Sequence, residues 1–281
     1  MSPIEIVALL ALVGYAIYRQ TRETEVVGGS RFKLAIIYTA AGLISGVHIA
    51  HTFTAYALLV VSLLASLGVQ AQKHEFANWN RYAQDNKTIG LPAKGEHRVV
   101  LMGNSITDGW PRTRPQFFAD NKIIGRGISG QTSYQFLLRF REDVINLHPK
   151  VVVINYGTND IAENTGPYDE DLTFGNVCSM VELARYHKIK VVLASCLPAG
   201  GFGWRRSITD SMEKIRSLNE RVKAYAKENK IPYVDYFSAM VNAEGTAMRA
   251  DYANDNPGVH PNAAGYAVME GLLLPVIEKL R

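Results

Sequence analysis

Hydrophobic positions divide the chain into two regions of different pattern. Residues 34–72 contain no Asp, Glu, Lys or Arg, and residues 6–18 are likewise free of charge. A bilayer span needs about 20 apolar residues, and the longer run exceeds that length. Residues 1–72 are therefore predicted to be a hydrophobic N-terminal region that holds one or more transmembrane segments, a signal peptide, or both.

The polar stretch between these two runs bears on the topology. It contains four cations, which favour the cytoplasmic side of a membrane. A single crossing by residues 34–72 would place all that follows outside the cytoplasm, whereas a double crossing would invert that topology. The run also ends in Val69-Gln-Ala71, which is typical of a signal-peptide cleavage site. We expect the rest of the chain to be membrane-anchored or secreted. Three questions stay open: whether the leader is cleaved, how many times the chain crosses the membrane, and whether the run is instead a buried helical hairpin of a soluble protein. The four cations are Arg19, Arg22, Arg31 and Lys33.

From residue 73 onward, short apolar runs alternate with amphipathic stretches. The apolar runs predict strands at 98–103, 122–125, 151–155, 191–195 and 231–235. Helical spacing of apolar residues predicts helices at 133–147, 172–188, 212–229 and 262–280, the last bent or split by Pro275. This alternation indicates an α/β domain over residues 98–281, with helices on both faces of a parallel sheet of about five strands. The more polar residues 73–97 are predicted to be a linker and lead-in helix.

Composition and charge exclude some functions. The net charge is +4, from 30 Lys and Arg against 26 Asp and Glu, and the cations form no basic block. Nucleic acid is therefore not expected as a partner. The two cysteines, Cys178 and Cys196, are too few for a disulfide framework and are expected to be buried thiols. No set of side chains shows metal-ligand spacing.

Polar residues follow the predicted strands. Ser105 comes after the first strand, the glycine-rich stretch 125–130 after the second, and Asn159 after the third. His260 lies late in the chain. Because ligands bind beyond the carboxyl ends of parallel strands, these groups are expected to meet on one rim. A hydroxyl, an imidazole and amide donors are what acyl transfer requires: a nucleophile, a general base and donors for an oxyanion.

Each of these residues, taken alone, is also compatible with a purely structural role. A serine or a histidine at such a position serves equally as a helix-start residue, and an asparagine as a turn residue. Residues 125–130 match the G-x-G-x-x-G dinucleotide fingerprint. They follow the second strand rather than the first, however, and the next strand ends in Asn155-Tyr-Gly157 rather than in an acidic residue. No G-x-S-x-G pentapeptide surrounds Ser105, so an α/β-hydrolase fold is not expected.

Four segments together resemble the sequence blocks of the SGNH hydrolase family, also called GDSL lipases and esterases. They are Gly103-Asn-Ser105, Ile128-Ser-Gly130, Gly157-Thr-Asn159-Asp and the segment around His260, in family order within residues 98–280. This chain has Gly-Asn-Ser where Gly-Asp-Ser is commoner. The resemblance implies a flavodoxin-like three-layer α/β/α sandwich and hydrolysis through an acyl-enzyme, with no metal and no cofactor.

The resemblance also assigns roles to single residues. It implies Ser105 as the nucleophile and His260 as the general base that takes its proton. The oxyanion hole is expected to consist of the N–H groups of Ser105 and Gly130 and the side-chain amide of Asn159.

The third member of the triad departs from the family pattern. The family usually places an aspartate three residues before the histidine, and this chain has Pro257 there. The turn-forming residues after Asp255 are expected to fold its carboxylate back toward the imidazole of His260. Two alternatives stay open: a serine–histidine dyad helped by a backbone carbonyl or solvent, and Asp251 as the acid.

Aromatic residues after the fourth strand bear on the substrate. Phe202 and Trp204 are expected to offer stacking faces beside the site, with arginines next to them. Similarity to carbohydrate-acting members of the family favours removal of short acyl groups, in particular acetyl, from a polysaccharide or small-molecule ester outside the cytoplasm. A lysophospholipase or thioesterase of the same family is the alternative among enzymes, since the N-terminal segments would bring membrane lipid near. A catalytically silent, membrane-tethered glycan-binding module is the alternative of another class.

Overall fold

The structure is a computed structural model that describes residues 76–254 and 258–281, together with positions 5, 12 and 15. The chain divides into two units, Met1–Ala71 and Gln72–Arg281, and all but three of the described residues belong to the second. The membrane or signal segments predicted within residues 1–72 lie outside the described residues, apart from those three positions. Within the described ranges, no helix is both long enough and apolar enough to cross a membrane.

Five parallel strands form one sheet in the part of the chain that the structure describes. They are Val99–Gly103 (β1), Ile123–Gly127 (β2), Val151–Ile154 (β3), Lys190–Ala194 (β4) and Tyr233–Val234 (β5). Their spatial order is β2-β1-β3-β4-β5, and every neighbouring pair is parallel. This is the doubly wound order of flavodoxin-like folds. The predicted α/β fold on a five-stranded parallel sheet is confirmed.

Helices connect and cover the strands. In chain order they are Asn80–Ile89 (α1), Ser105–Thr113 (α2), Pro115–Asp120 (α3), Ser133–Asp143 (α4), Thr158–Ile161 (α5), Glu170–Tyr186 (α6), Ser211–Glu228 (α7), Tyr236–Met240 (α8) and Ala263–Glu278 (α9). Pro275 lies inside α9, which continues past it as one helix. The helix predicted over 133–147 ends at Asp143, and a 3-10 turn follows over Ile145–Leu147.

The sheet separates two hydrophobic cores. Side chains alternate along a strand, so Val100 and Met102 of β1 face one core while Val99 and Leu101 face the other. Helices α4, α6 and α7 cover the first core, and α2, α3, α8 and α9 cover the second. Every residue of β1 and β3 is buried, as expected for strands covered on both faces. The molecule is thus three-layered, helices over sheet over helices.

The strand order determines where a site forms. The chain passes from β1 outward to β2 and then returns across β1 to β3, and it continues in that direction to β4 and β5. The connections therefore leave β1 and β3 on opposite faces, which opens a crevice beyond their carboxyl ends. Ser105 begins α2 directly after β1, so the predicted nucleophile stands at this crevice.

Candidate active site

A helix cap sets the position of the predicted nucleophile, Ser105. Asn104 precedes α2, and its side-chain oxygen accepts a hydrogen bond from the N–H of Ile106 at 3.0 Å. Asparagine caps a helix as well as aspartate does, so Gly-Asn-Ser supports this helix start as the commoner Gly-Asp-Ser would. From the other side, the hydroxyl of Tyr266 on α9 donates to the carbonyl of Ile106 at 2.7 Å. Ser105 is consequently the first residue of a helix whose start is held by two buried contacts.

The predicted base lies beside the predicted nucleophile. Ser105 Oγ and His260 Nε2 are 2.9 Å apart, across 155 positions of sequence. The histidine segment is anchored on its backbone: Asn254 donates its N–H to the carbonyl of His260 at 2.8 Å, and Ala253 forms an antiparallel bridge with Pro261. Both side chains are partly exposed, so a substrate reaches them from solvent. This geometry permits proton transfer from the serine hydroxyl to the imidazole.

Two loops bring the predicted oxyanion donors to the same rim. Gly130 has φ +80°, a left-handed conformation that glycine adopts without steric cost, and it is exposed. Asn159 is buried on α5, and its side-chain amide donates to the carbonyl of Gln131 at 2.9 Å. The N–H of Ser105 belongs to the first turn of α2, where backbone donors have no partner within the helix. The oxyanion role of these three donors remains a prediction.

Asp108 connects the nucleophile helix to the glycine turn, and the sequence did not single it out. It lies one turn after Ser105 and accepts a hydrogen bond from the hydroxyl of Ser129 at 2.8 Å. Arg112 holds the same carboxylate at 3.0 Å. Because Ser129 directly precedes Gly130, this carboxylate connects the helix of the predicted nucleophile to the turn of one predicted oxyanion donor.

Asp160 is a second residue that the sequence left without a role. Its carboxylate is buried and accepts from the backbone N–H of Ser133 at 3.0 Å and from the hydroxyl of the same residue. Burial raises the pKa of Asp160, and the Ser133 hydrogen bonds oppose that rise. The contact ties α5, which carries Asn159, to the start of α4. The only sequence signal was its position directly after Asn159.

The two aromatic residues after β4 differ in exposure. Trp204 is 48% exposed, whereas Phe202 is 2% exposed. The two rings are in contact, with centroids 5.4 Å apart. Phe202 therefore supports Trp204 from below and does not itself offer a stacking face to solvent, contrary to the expectation from the sequence. Trp204 also donates its indole N–H to Asn164 Oδ1 at 3.0 Å.

The predicted third member of the triad, Asp255, lies outside the described residues, as does Pro257. Asp251, the other acid considered, is described. Its two carboxylate oxygens accept from Arg249 at 3.0 and 2.7 Å, and this pairing lowers the pKa of Asp251.

The cysteines and possible metal ligands complete the description. Cys196 is buried, and burial raises the pKa of its thiol to about 12. Cys178 is only half-buried, so the expectation of two buried thiols is correct for one of them. Among the described residues, no three His, Cys, Asp or Glu side chains group in a way that would hold a metal ion.

Comparison with known proteins identifies the family. Residues 101–268 match the model of the GDSL-like Lipase/Acylhydrolase family. The crystal structure of a GDSL-like lipase from Bacteroides thetaiotaomicron VPI-5482 is 61% identical, with a TM-score of 0.71 over 73% of this chain and 99% of that one. The uncharacterized lipoprotein YqeF of Bacillus subtilis is 28% identical over 56% of this chain and 78% of its own length. Esterase TesA of Pseudomonas aeruginosa is 25% identical over 66% of this chain and 86% of its own. The chain belongs to the GDSL-like Lipase/Acylhydrolase family and is a carboxylic ester hydrolase.

Proposed function

We propose that this protein removes short acyl groups, in particular acetyl, from carbohydrate esters through an acyl-enzyme on Ser105. The observation that carries the proposal is the 2.9 Å contact between Ser105 Oγ and His260 Nε2, on a rim that also bears the exposed indole of Trp204. An intact nucleophile and base speak against a silent binding module, and the open aromatic face suits a sugar ring.

The chemistry follows from the arrangement of donors and acceptors. His260 Nε2 takes the proton from Ser105 Oγ as that oxygen bonds to the ester carbonyl carbon. The carbonyl oxygen becomes an anion that the donors of Ser105, Gly130 and Asn159 stabilise. The imidazolium then protonates the leaving alkoxide, and the alcohol departs. Water repeats the sequence on the acyl-enzyme, which releases the carboxylic acid and restores the serine.

The leaving-group side is open and connected to the oxyanion turn. Asn164 accepts from the indole N–H of Trp204 and donates its own amide to the carbonyl of Gly130, both at 3.0 Å. A ring stacked on Trp204 would therefore lie two hydrogen bonds from the turn that stabilises the transition state. Aromatic faces of this kind bind sugar rings through dispersion and burial of apolar C–H surface.

We also propose Asp255 as the acid that orients His260. Asn254, which directly precedes Asp255 in the sequence, donates its backbone N–H to the carbonyl of His260 at 2.8 Å. Asp251 is already paired with Arg249, which favours Asp255 over it.

A panel of esters tests the substrate class. We expect kcat/KM for p-nitrophenyl esters to be highest for acetate and to fall steeply toward sixteen carbons, with acetate release from acetylated xylan or pectin. Trp204→Ala should raise KM on the acetylated polysaccharide, because it removes the exposed face on which we propose that a sugar ring stacks. KM for p-nitrophenyl acetate, which has no sugar ring, should change less and serves as the control. A maximum at eight or more carbons would instead favour lipid esters, the alternative that the name of the Bacteroides lipase supports.

We propose that the hydrolase domain, residues 98–281, works outside the cytoplasm, attached or exported through residues 1–72. The charge-free run over 34–72 and the cations before it support this, as does the similarity to a lipoprotein of Bacillus subtilis. Alkaline phosphatase fused after residue 72 should be active in bacteria, since that enzyme folds only in an oxidising compartment. A well-expressed but inactive fusion would place the domain in the cytoplasm.

A further inference from the structure

A buried arginine lies beneath the rim, apart from the nucleophile, the base and the oxyanion donors. Arg139 on α4 has no exposed surface, and its guanidinium donates four hydrogen bonds. Two go to backbone carbonyls at the ends of β1 and β2, those of Gly103 at 3.0 Å and Arg126 at 2.8 Å. The others go to Gln131 Oε1 at 2.6 Å and to Asp143 at 2.8 Å. Burial of a guanidinium is unfavourable unless its donors are satisfied, so these partners hold it in one place.

Each predicted oxyanion donor is adjacent to a partner of this guanidinium. Gly103 lies two residues before Ser105, on the strand that positions it. Gln131 directly follows Gly130. The carbonyl of Gln131 also accepts the side-chain amide of Asn159 at 2.9 Å. Arg139 thus contacts two of the three donor-bearing segments directly, and Gln131 connects it to the third.

We propose that Arg139 is a positioning residue for the oxyanion hole. It touches no substrate; it acts through Gly103 and Gln131, holding the ends of β1 and β2 and the glycine turn at fixed separations. A planar guanidinium can do this because its N–H directions are fixed, whereas a lysine ammonium is a single point on a flexible stem. Displacement of catalytic groups by about 1 Å lowers rates about 100-fold. The inference rests on the proposed acyl-enzyme mechanism at Ser105.

The chain offers a matched control at the other end of β1. Arg98 is 3% exposed and also donates four hydrogen bonds, two to Glu96 and one each to the carbonyls of Gly90 and Leu147. It lies directly before β1, at the amino-terminal end of the strand, whereas Ser105 follows the carboxyl end. Arg98→Lys removes the same fork as Arg139→Lys but leaves the oxyanion loops untouched.

The experiment compares the two variants in the full-length chain. Arg139→Lys should lower kcat for p-nitrophenyl acetate about 30- to 100-fold with KM within about threefold. It should weaken inhibition by a boronic acid by a similar factor, because the boronate forms a tetrahedral adduct on the serine with an oxygen in the place of the oxyanion. The acid limb of the pH profile, set by the general base, should not move. Arg98→Lys should leave kcat and boronate affinity within about threefold at a comparable loss of melting temperature.

A second variant keeps the test decisive if Arg139→Lys does not fold. Gln131→Met removes one hydrogen-bond acceptor of the Arg139 guanidinium, while Arg139 stays paired with Asp143. This variant should lower kcat about tenfold. The inference is overturned if folded Arg139→Lys and Gln131→Met both keep kcat within threefold of wild type. It is also overturned if Arg98→Lys loses as much kcat as Arg139→Lys does. A wild-type chain no more active than Ser105→Ala would overturn the proposed function itself, and this inference with it.

Discussion

Gly127 provides the sharpest test of how the nucleophile is positioned. It is the last residue of β2 and lies against the first turn of α2. A Cβ added there would stand 2.5 Å from the carbonyl carbon of Thr107 and 2.6 Å from the carbonyl oxygen of Asn104. These backbone atoms flank Ser105 and cannot rotate away as a side chain would. Gly127→Ala should therefore push the nucleophile turn away from β2.

The size of that effect follows from the distances. Non-bonded carbon atoms rest about 3.5 Å apart, so a gap of about 1 Å must open. Overpacking of this kind costs about 1–3 kcal/mol in the free energy of unfolding. A domain of this size then melts about 2–12 °C lower. A displacement of about 1 Å at the nucleophile should lower kcat about 100-fold.

Esterase turnover on p-nitrophenyl acetate and thermal melting measure the two effects on one sample. Gly175→Ala is the matched control, because a Cβ at this position of α6 meets nothing within 4 Å. Alanine at a helix-interior glycine should stabilise the fold by about 0.5–1 kcal/mol and leave kcat unchanged. If Gly127→Ala kept kcat within threefold and melted within 2 °C of wild type, the reasoning about this contact would be wrong.

Three further predictions concern single side chains. Ser105→Ala should leave a folded protein with activity near background, since loss of the nucleophile costs about 10⁶ in turnover in a comparable triad; more than a tenth of wild-type activity would refute the assignment. Asp255→Asn should lower turnover at least about 100-fold at similar thermal stability. Asp251→Asn should not lower turnover, because the Asp251 carboxylate already pairs with Arg249. A turnover of Asp255→Asn within threefold of wild type would favour a serine–histidine dyad. Because burial raises the pKa of Cys196 to about 12, its thiolate is scarce at pH 8, and iodoacetamide should label it only on unfolding. If mass spectrometry found Cys196 of the native protein labelled at the rate of a free thiol, this prediction would be wrong.

The sequence determined the sheet, and it predicted the serine and the histidine that the fold brings into contact. Strands such as Val151–Ile154 are continuous apolar runs, and burial on both faces is a local requirement that each strand meets by its own composition. The predicted nucleophile and base follow strand ends or turns, where glycine, asparagine and proline leave a local signal. Short helices were not predicted, because they lack such a local signal. Helix α2 contains Gly109 and Pro111, and its helical start depends on a cap and on packing rather than on apolar spacing.

Only the tertiary structure decided which side chains support the site. The contact of Ser129 with Asp108 spans 21 positions and that of Ser133 with Asp160 spans 27. Arg139 reaches a carbonyl 36 positions away. Nothing in the local sequence marks such pairs, because a hydrogen bond between distant positions depends on the path of the chain around the sheet. Likewise, Phe202 is buried beneath an exposed Trp204. The exposure of each ring depends on what packs over it, and the sequence around these two aromatic residues does not show that.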